Sequence, residues 1–298
     1  MDKIKKAEFD ELIKQNIKDA VGCDVFGYKL PETKAEPYGN YYSNDAFASF
    51  IDEMKSPAYQ EIYRAYSEGK GSELVVKNGK YGKMPPKMAS VASSSRFCYL
   101  ALRDGAQGLG GSGIVKFEQE CKIDGLPGNA PQLDAYIPNE NIYVEAKCHE
   151  IFDSHKIQMK EKYWDLLYGK DNCFGLDITE KPIGESFESP LSVFDIEKTS
   201  SMFDLKQLIC HLLGIASQKR EAEPATLVYL FFKPKAKTEQ DAKKIDEVFE
   251  VLQDEIKKIF ASAPIRHFTA RNQIQLRAVA EYSEIMEPLN SNNIVTIA

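Results

Sequence analysis

Long apolar runs are missing from this chain. None of its 298 residues falls in a stretch approaching the roughly 20 apolar residues that a membrane-spanning helix needs, so a helical membrane protein is excluded. The opening MDKIKKAEFDELIKQNIKDA is charged throughout and has no apolar centre of the signal-peptide kind. Ile4, Phe9, Leu12, Ile13 and Ile17 predict an amphipathic helix there instead. Cys-x-x-Cys pairs are absent too. The six cysteines, Cys23, Cys98, Cys121, Cys148, Cys173 and Cys210, are scattered, and the four histidines make no metal-ligand spacing with them. That argues against zinc and for reduced thiols in the cytoplasm. GLGGSG at 108–113 lacks the Gly-Lys-Ser/Thr of a phosphate loop and reads as a flexible connection. There are no internal repeats.

The net charge of −7 argues weakly against a nucleic-acid partner, but its distribution matters more than its sum. Residues 70–96 set six cations, Lys70, Lys77, Lys80, Lys83, Lys87 and Arg96, against the single acid Glu73, a local balance of +5. Spaced lysines among glycines, with Tyr81 between them, suit a strap that follows a phosphate backbone. They suit an ordinary solvated loop equally well.

The patterns predict helices over 1–20, over 45–67 with a break near Pro57, and after Ser93–Ser95 as far as Gly105. Residues 22–48 read as irregular, and ELVV at 73–76 as a short strand before an Asn-Gly turn. Three alternating strands follow, VKFEQECKI (115–123), QLDAYI (132–137) and IYVEAKCH (142–149), the last two joined by the turn PNEN. Residues 156–168 read as helical and 170–203 as a loop-rich insertion. Residues 204–218 read as a helix, 225–234 as a buried strand, 238–261 as a long amphipathic helix and 273–279 as a last strand. The sum is a mixed sheet flanked by helices, an α/β architecture. Residues 1–88 form a helical and irregular elaboration packed on a core of 89–298.

The stretch DAYIPNENIYVEAKCHE (134–150) carries the chemistry. Side chains alternate along a strand, so Tyr143, Glu145, Lys147 and His149 share one face, and Val144, Ala146 and Cys148 the other. Ten residues separate Asp134 from Glu145, enough for a strand, a turn and a return. Two carboxylates with the Ala146 carbonyl form a hard-oxygen site suited to Mg²⁺ (or Mn²⁺), which keeps several waters and meets phosphate. Lys147 would act on the attacking water, as base or polarising charge, and stabilise charge growing on the phosphate. The bland alternative is a solvated strand face with a cross-strand ion pair. Acid-x-Lys also occurs at Glu120–Lys122, without an acid-bearing strand just before it, and at several helical or loop positions such as Asp241–Lys243.

Asp134 followed by Glu145-Ala146-Lys147, in this order of elements, resembles the core of the PD-(D/E)XK nuclease superfamily, the fold of many restriction endonucleases. The likeness covers roughly residues 90–235 and is nearest to bacterial restriction-endonuclease-like proteins of unassigned substrate. It departs from the family at Leu133, where a proline often stands; Pro131 lies two residues further back. The acid that the family often carries on its first helix is also missing here. The resemblance implies a restriction-endonuclease-like mixed sheet and Mg²⁺-dependent cleavage of DNA by Asp134, Glu145 and Lys147. Glu118 (or else Glu120) would be a further metal-side acid, and Gln207, which shares a helix stripe with His211 and Gly214, a supporting residue. Lys77, Lys80, Lys83 and Lys87 would contact DNA. The first reading is thus a DNA endonuclease, with restriction type as one option and a homodimer as one permitted assembly. The alternatives are a structure-specific or repair nuclease, and a nucleic-acid-binding protein that does not cleave.

Overall fold

A computed structural model describes residues 4–30, 36–69, 73–79, 82–126, 128, 130–153, 155, 159–167, 173–175, 186–187, 202–218, 223–281 and 294–296. Most of the expected 170–203 insertion lies outside them, as do Lys70, Lys80 and Tyr81.

Helix α1 (Lys6–Val21) buries Phe9, Ile13 and Ile17 along one stripe, as its spacing predicts. Residues 22–48 are more regular than expected. A small antiparallel pair, β1 (Phe26–Tyr28) and β2 (Tyr38–Tyr42), is held by aromatic contacts such as Phe26 against Tyr42, which carry pairing that the Pro- and Gly-rich sequence disguises. Helices α2 (Asn44–Met54) and α3 (Gln60–Glu68) break around Pro57. ELVV does not form a strand. The short hairpin lies just beyond it, as β3 (Lys77–Gly79) and β4 (Gly82–Met84); Asn78 and Gly79 are strand residues, paired with Lys83 and Gly82, and do not form the expected turn.

Helix α4 (Ser94–Leu102) is capped by the Ser93 hydroxyl, which accepts from Arg96 N, and is buried almost all round. Strands β5 (Lys116–Glu120), β6 (Gln132–Ile137) and β7 (Ile142–Lys147) form the expected meander. Residues 156–168 differ from expectation: the described part is a two-residue strand β8 (Met159–Lys160), a 3₁₀ turn and the single-turn helix α5 (Trp164–Leu167). Strand β8 pairs with β9 (Ser186–Phe187). Then come α6 (Leu205–Gln218), β10 (Ala225–Phe232), α7 (Glu239–Ala261), α8 (Ala263–Arg271), β11 (Ile274–Glu281) and β12 (Ile294–Thr296). Helix α7 opens on a capping box in which Thr238 and Asp241 satisfy each other's backbone N–H groups.

The main sheet has six strands in the order β12-β11-β10-β7-β6-β5. Strands β5, β6 and β7 are antiparallel neighbours, while β10 runs parallel to both β7 and β11. Parallel neighbours need crossovers, and α6 and the α7–α8 pair supply them. Helices α3 and α4 cover one face, where Tyr66 and Tyr99 meet Phe117, and Phe97 meets Phe232. Helix α6 covers the other, and Phe203 just before it packs on Tyr229. Strand β7 is therefore buried on both faces. Helix α1 is tied to the loop between β10 and α7 by Asn16, which donates to the Lys235 carbonyl, and the buried apolar residues form one core. Among the described residues no helix is long and apolar enough to cross a membrane, and all six cysteines are free.

Candidate active site

Register places the acids. Phe117 pairs with Ala135 and Gln119 with Leu133, which sets Glu118 opposite Asp134. Ala135 pairs with Val144, which sets Asp134 opposite Glu145 one step further on. Glu145 pairs with Tyr229 of β10. Glu118, Asp134, Glu145 and Tyr229 thus lie in one row across four strands.

The row is irregular at two points. The β6–β7 pairing stops at Ala135 and Val144, and the Ala146 N–H is taken instead by Asp134 Oδ2 at 2.8 Å. In an extended strand the N–H and C=O of one residue point to the same side, so the Ala146 carbonyl also faces the gap beside Asp134. Glu118 adopts a left-handed φ of 55° and is skipped by the ladder. Its carboxylate lies against the end of α3, where a Cβ added to Gly69 would come within 3.1 Å of Glu118 Oε2.

Glu145 and Lys147 do not lie on the solvated strand face of the bland alternative. Their side chains are only 5% and 14% exposed, because α6 lies over them. Lys147 Nζ donates to Glu145 Oε1 (2.6 Å) and to Gln207 Oε1 (2.7 Å), and Gln207 Nε2 donates to the same Glu145 oxygen (2.8 Å). The three side chains form a closed triangle. His211, one turn on, is fully buried: Nδ1 is 3.3 Å from Tyr229 Oη and Nε2 is 3.7 Å from Glu145 Oε2. The stripe of Gln207, His211 and Gly214 is not a solvated helix face, because it is pressed on the sheet.

The electrostatics follow from this packing. Burial, then the Glu145 charge, push the Asp134 carboxyl well above its ordinary range; Lys147 and the Ala146 N–H pull the other way. Burial works against the Lys147 charge, but Glu145, Glu150 and Asp134 outweigh it and hold its proton more tightly than usual. That works against proton abstraction by Lys147. Burial, then Glu73, raise Glu118 to about 7. Glu118 acts electrically on Asp134, whereas Glu120 acts on the Cys121 thiol; Glu118 is the acid nearer the pair.

The basic stretch divides. Lys77 and Lys83 are exposed on the β3–β4 hairpin. Lys87 is bound to the buried Glu73 at 2.7 Å and acts on Glu118, which ties the base of the hairpin to the acid row. Arg96 is a buried cation held by the Met88 and Val91 carbonyls and the Tyr42 ring, and so does not belong to the basic surface.

Several neighbours carry no local signal in the sequence. His155 lies 3.5 Å from Asp204, whose Oδ1 accepts from Gln207 N and so fixes the first turn of α6. Hydrogen bonding to Asp204 raises the His155 imidazole. His149 leaves the strand to meet Asp10 of α1 at 2.8 Å. Only the helical spacing of Gln207 and His211 hinted at partners, since a pairing between distant segments has no local pattern.

Two carboxylates compressed in a poorly solvated row, with one lysine between them and the helix, fit a hard divalent cation: it would relieve the repulsion that burdens Asp134. No cage of three or more His, Cys, Asp or Glu side chains converges among the described residues. An Mg²⁺-type site does not need one, since water and phosphate complete its shell. Compared with known proteins, the chain matches no family model, no curated protein and no solved structure.

Proposed function

We propose that this chain is a divalent-cation-dependent phosphodiesterase acting on DNA, an endonuclease of the PD-(D/E)XK type on a restriction-endonuclease-like sheet. The observation that supports it most is the convergence of Asp134, Glu145 and Lys147 from two antiparallel strands, with Gln207 closing the group from the crossover helix.

Asp134, Glu145 and the Ala146 carbonyl would hold Mg²⁺ or Mn²⁺, with Glu118 to one side. The cation supplies positive charge beside the scissile phosphate and neutralises the two acids. Lys147, kept protonated by its three acidic neighbours, stabilises the charge that grows on the phosphate oxygens. Gln207 fixes the lysine rotamer by accepting from Nζ and holds Glu145 in place through its amide. Lys77 and Lys83 of the hairpin contact the DNA backbone, with Lys80, which lies outside the described residues, as a further contact, and Lys87 anchors the hairpin through Glu73.

Supercoiled plasmid incubated with Mg²⁺, with and without chelator, tests this reading. The parent should nick or linearise it only with free Mg²⁺; D134N and E145Q should not, and K147A should do so far more slowly. Equal cutting by parent and D134N would sink the assignment. Discrete fragments indicate a restriction-type enzyme, structure-dependent nicking a repair-type one, and retention of DNA without cleavage a binding protein.

A further inference from the structure

Each acid of the pair has one oxygen engaged by the protein and one left over. Glu145 Oε1 accepts from Lys147 Nζ at 2.6 Å and from Gln207 Nε2 at 2.8 Å. A carboxylate oxygen carries two lone pairs, so this one is full. Glu145 Oε2 accepts no hydrogen bond among the described residues; His211 Nε2 stands 3.7 Å away. Asp134 divides in the same way: Oδ2 accepts from Ala146 N at 2.8 Å, and Oδ1 meets no donor among the described residues. The sense of the Gln207 amide is fixed, because an ammonium can only donate. Lys147 Nζ lies 2.7 Å from Gln207 Oε1, which turns the amide NH₂ toward Glu145. Asp204 Oδ1 accepts from Gln207 N at 2.9 Å and so holds the turn of α6 that carries it.

We infer that Gln207 and Lys147 are a pair of specificity-determining residues: by filling Glu145 Oε1 they leave one coordinating oxygen on each acid and set the site for a small octahedral cation against a larger one. The assignment rests on the reading of Asp134 and Glu145 as cation ligands. The protein donors are then Glu145 Oε2, Asp134 Oδ1 and the Ala146 carbonyl, and water and phosphate complete the shell. Mg²⁺ demands near-octahedral geometry, keeps several waters and is satisfied by such a set. Ca²⁺ takes six to eight oxygens and often both of one carboxylate, and the second Glu145 oxygen is denied to it. Binding through both oxygens needs the Oε1 lone pair on the Oε2 side. One of the two donors holds that lone pair, so removal of that donor, or of both, opens it.

The test is titration calorimetry of the full chain with Mg²⁺ alone and with Ca²⁺ alone, on the parent, Q207M, K147M and Q207M/K147M, with an unfolding temperature for each. Methionine keeps an unbranched side chain of similar length and donates nothing. In the double variant the ratio of Ca²⁺ to Mg²⁺ affinity should rise about 10- to 100-fold, the range over which partners behind a ligand govern metal affinity. One of the single variants should show most of that rise. Loss of the Lys147 charge favours both divalent cations alike, so it cancels in the ratio, and a merely structural role likewise moves both affinities together. The parent ratio in both folded single variants, or in a folded double variant, overturns the role of Gln207 and Lys147 while the acid-pair reading stands. A parent that binds neither cation, with D134N no different, overturns both.

Discussion

Removal of Glu145 should cost far more stability than removal of the Asp134 charge, although the two acids sit side by side. In E145A the Lys147 ammonium, 14% exposed, keeps the Gln207 carbonyl oxygen as hydrogen-bond partner and only the weaker pull of the Glu150 and Asp134 charges. Breaking a buried pair from one side costs about 3–5 kcal/mol, because a charge is left uncompensated. At about 2–4 °C per kcal/mol for large domains, that is a fall of roughly 6–20 °C in Tm. D134N is different. The asparagine oxygen can still accept from Ala146 N, and the change removes a charge that burial and Glu145 disfavour. Its stability should equal or exceed the parent's at pH 7. K147A should cost about as much as E145A, and E145A/K147A less than the sum of the two, since the second removal relieves the first. The assay is urea unfolding followed by circular dichroism, with chelator present. An E145A protein within about 1 kcal/mol of the parent would refute the buried-pair account.

Other outcomes follow from the same geometry. Glu118, at about 7 in the folded chain against 4.5 normally, binds more protons folded than unfolded between those values. Stability should therefore fall as pH rises through about 4.5 to 7, and E118Q should flatten that part of a Tm–pH profile measured in chelator; an unchanged slope contradicts the burial of Glu118. K147A should lower the cleavage rate by about 10²- to 10³-fold while retaining Mg²⁺ binding, and K147R should not restore the rate because a planar guanidinium cannot fit the Glu145–Gln207 triangle. DNA affinity measured in Ca²⁺ should fall with log salt at a slope of roughly −2 to −4, about −0.9 per phosphate contact. Neutralising Lys77, Lys80 and Lys83 should flatten that slope for all sequences alike, and an unchanged slope would move the DNA surface elsewhere.

Strands β6 and β7 were legible at almost every residue, because alternation and the Asn-rich turn are local signals; the parallel pairing of β7 with β10 left only a continuous apolar run. The acid row was half legible. Asp134 and Glu145 follow from a hairpin read with period two, but Glu118 joins them through a left-handed residue that no alternation rule anticipates. The depth of the site was not legible at all. Glu145 and Lys147 look like surface residues on their strand, and only α6, arriving some sixty residues later, covers them. His149 and His155 had no partner in sequence for the same reason: Asp10 and Asp204 come from other parts of the chain.

Gly214 sets how deep α6 can sit. A methyl group there would come within 2.6 Å of the Cys121 carbonyl and 2.8 Å of its Cβ, closer than atoms tolerate, so the helix would have to lift off the end of β5. Gln207 lies seven residues earlier on the same helix and His211 three, and a rigid rod transmits such a displacement along its length. The missing methyl thus works as a shim of fixed thickness between a crossover and a sheet edge, gauging the reach of two side chains that it never touches. An alanine at 214 would resemble an active-site lesion in its kinetics while leaving every site residue in place, since a shift of about 1 Å in reacting groups can cost roughly 10²-fold.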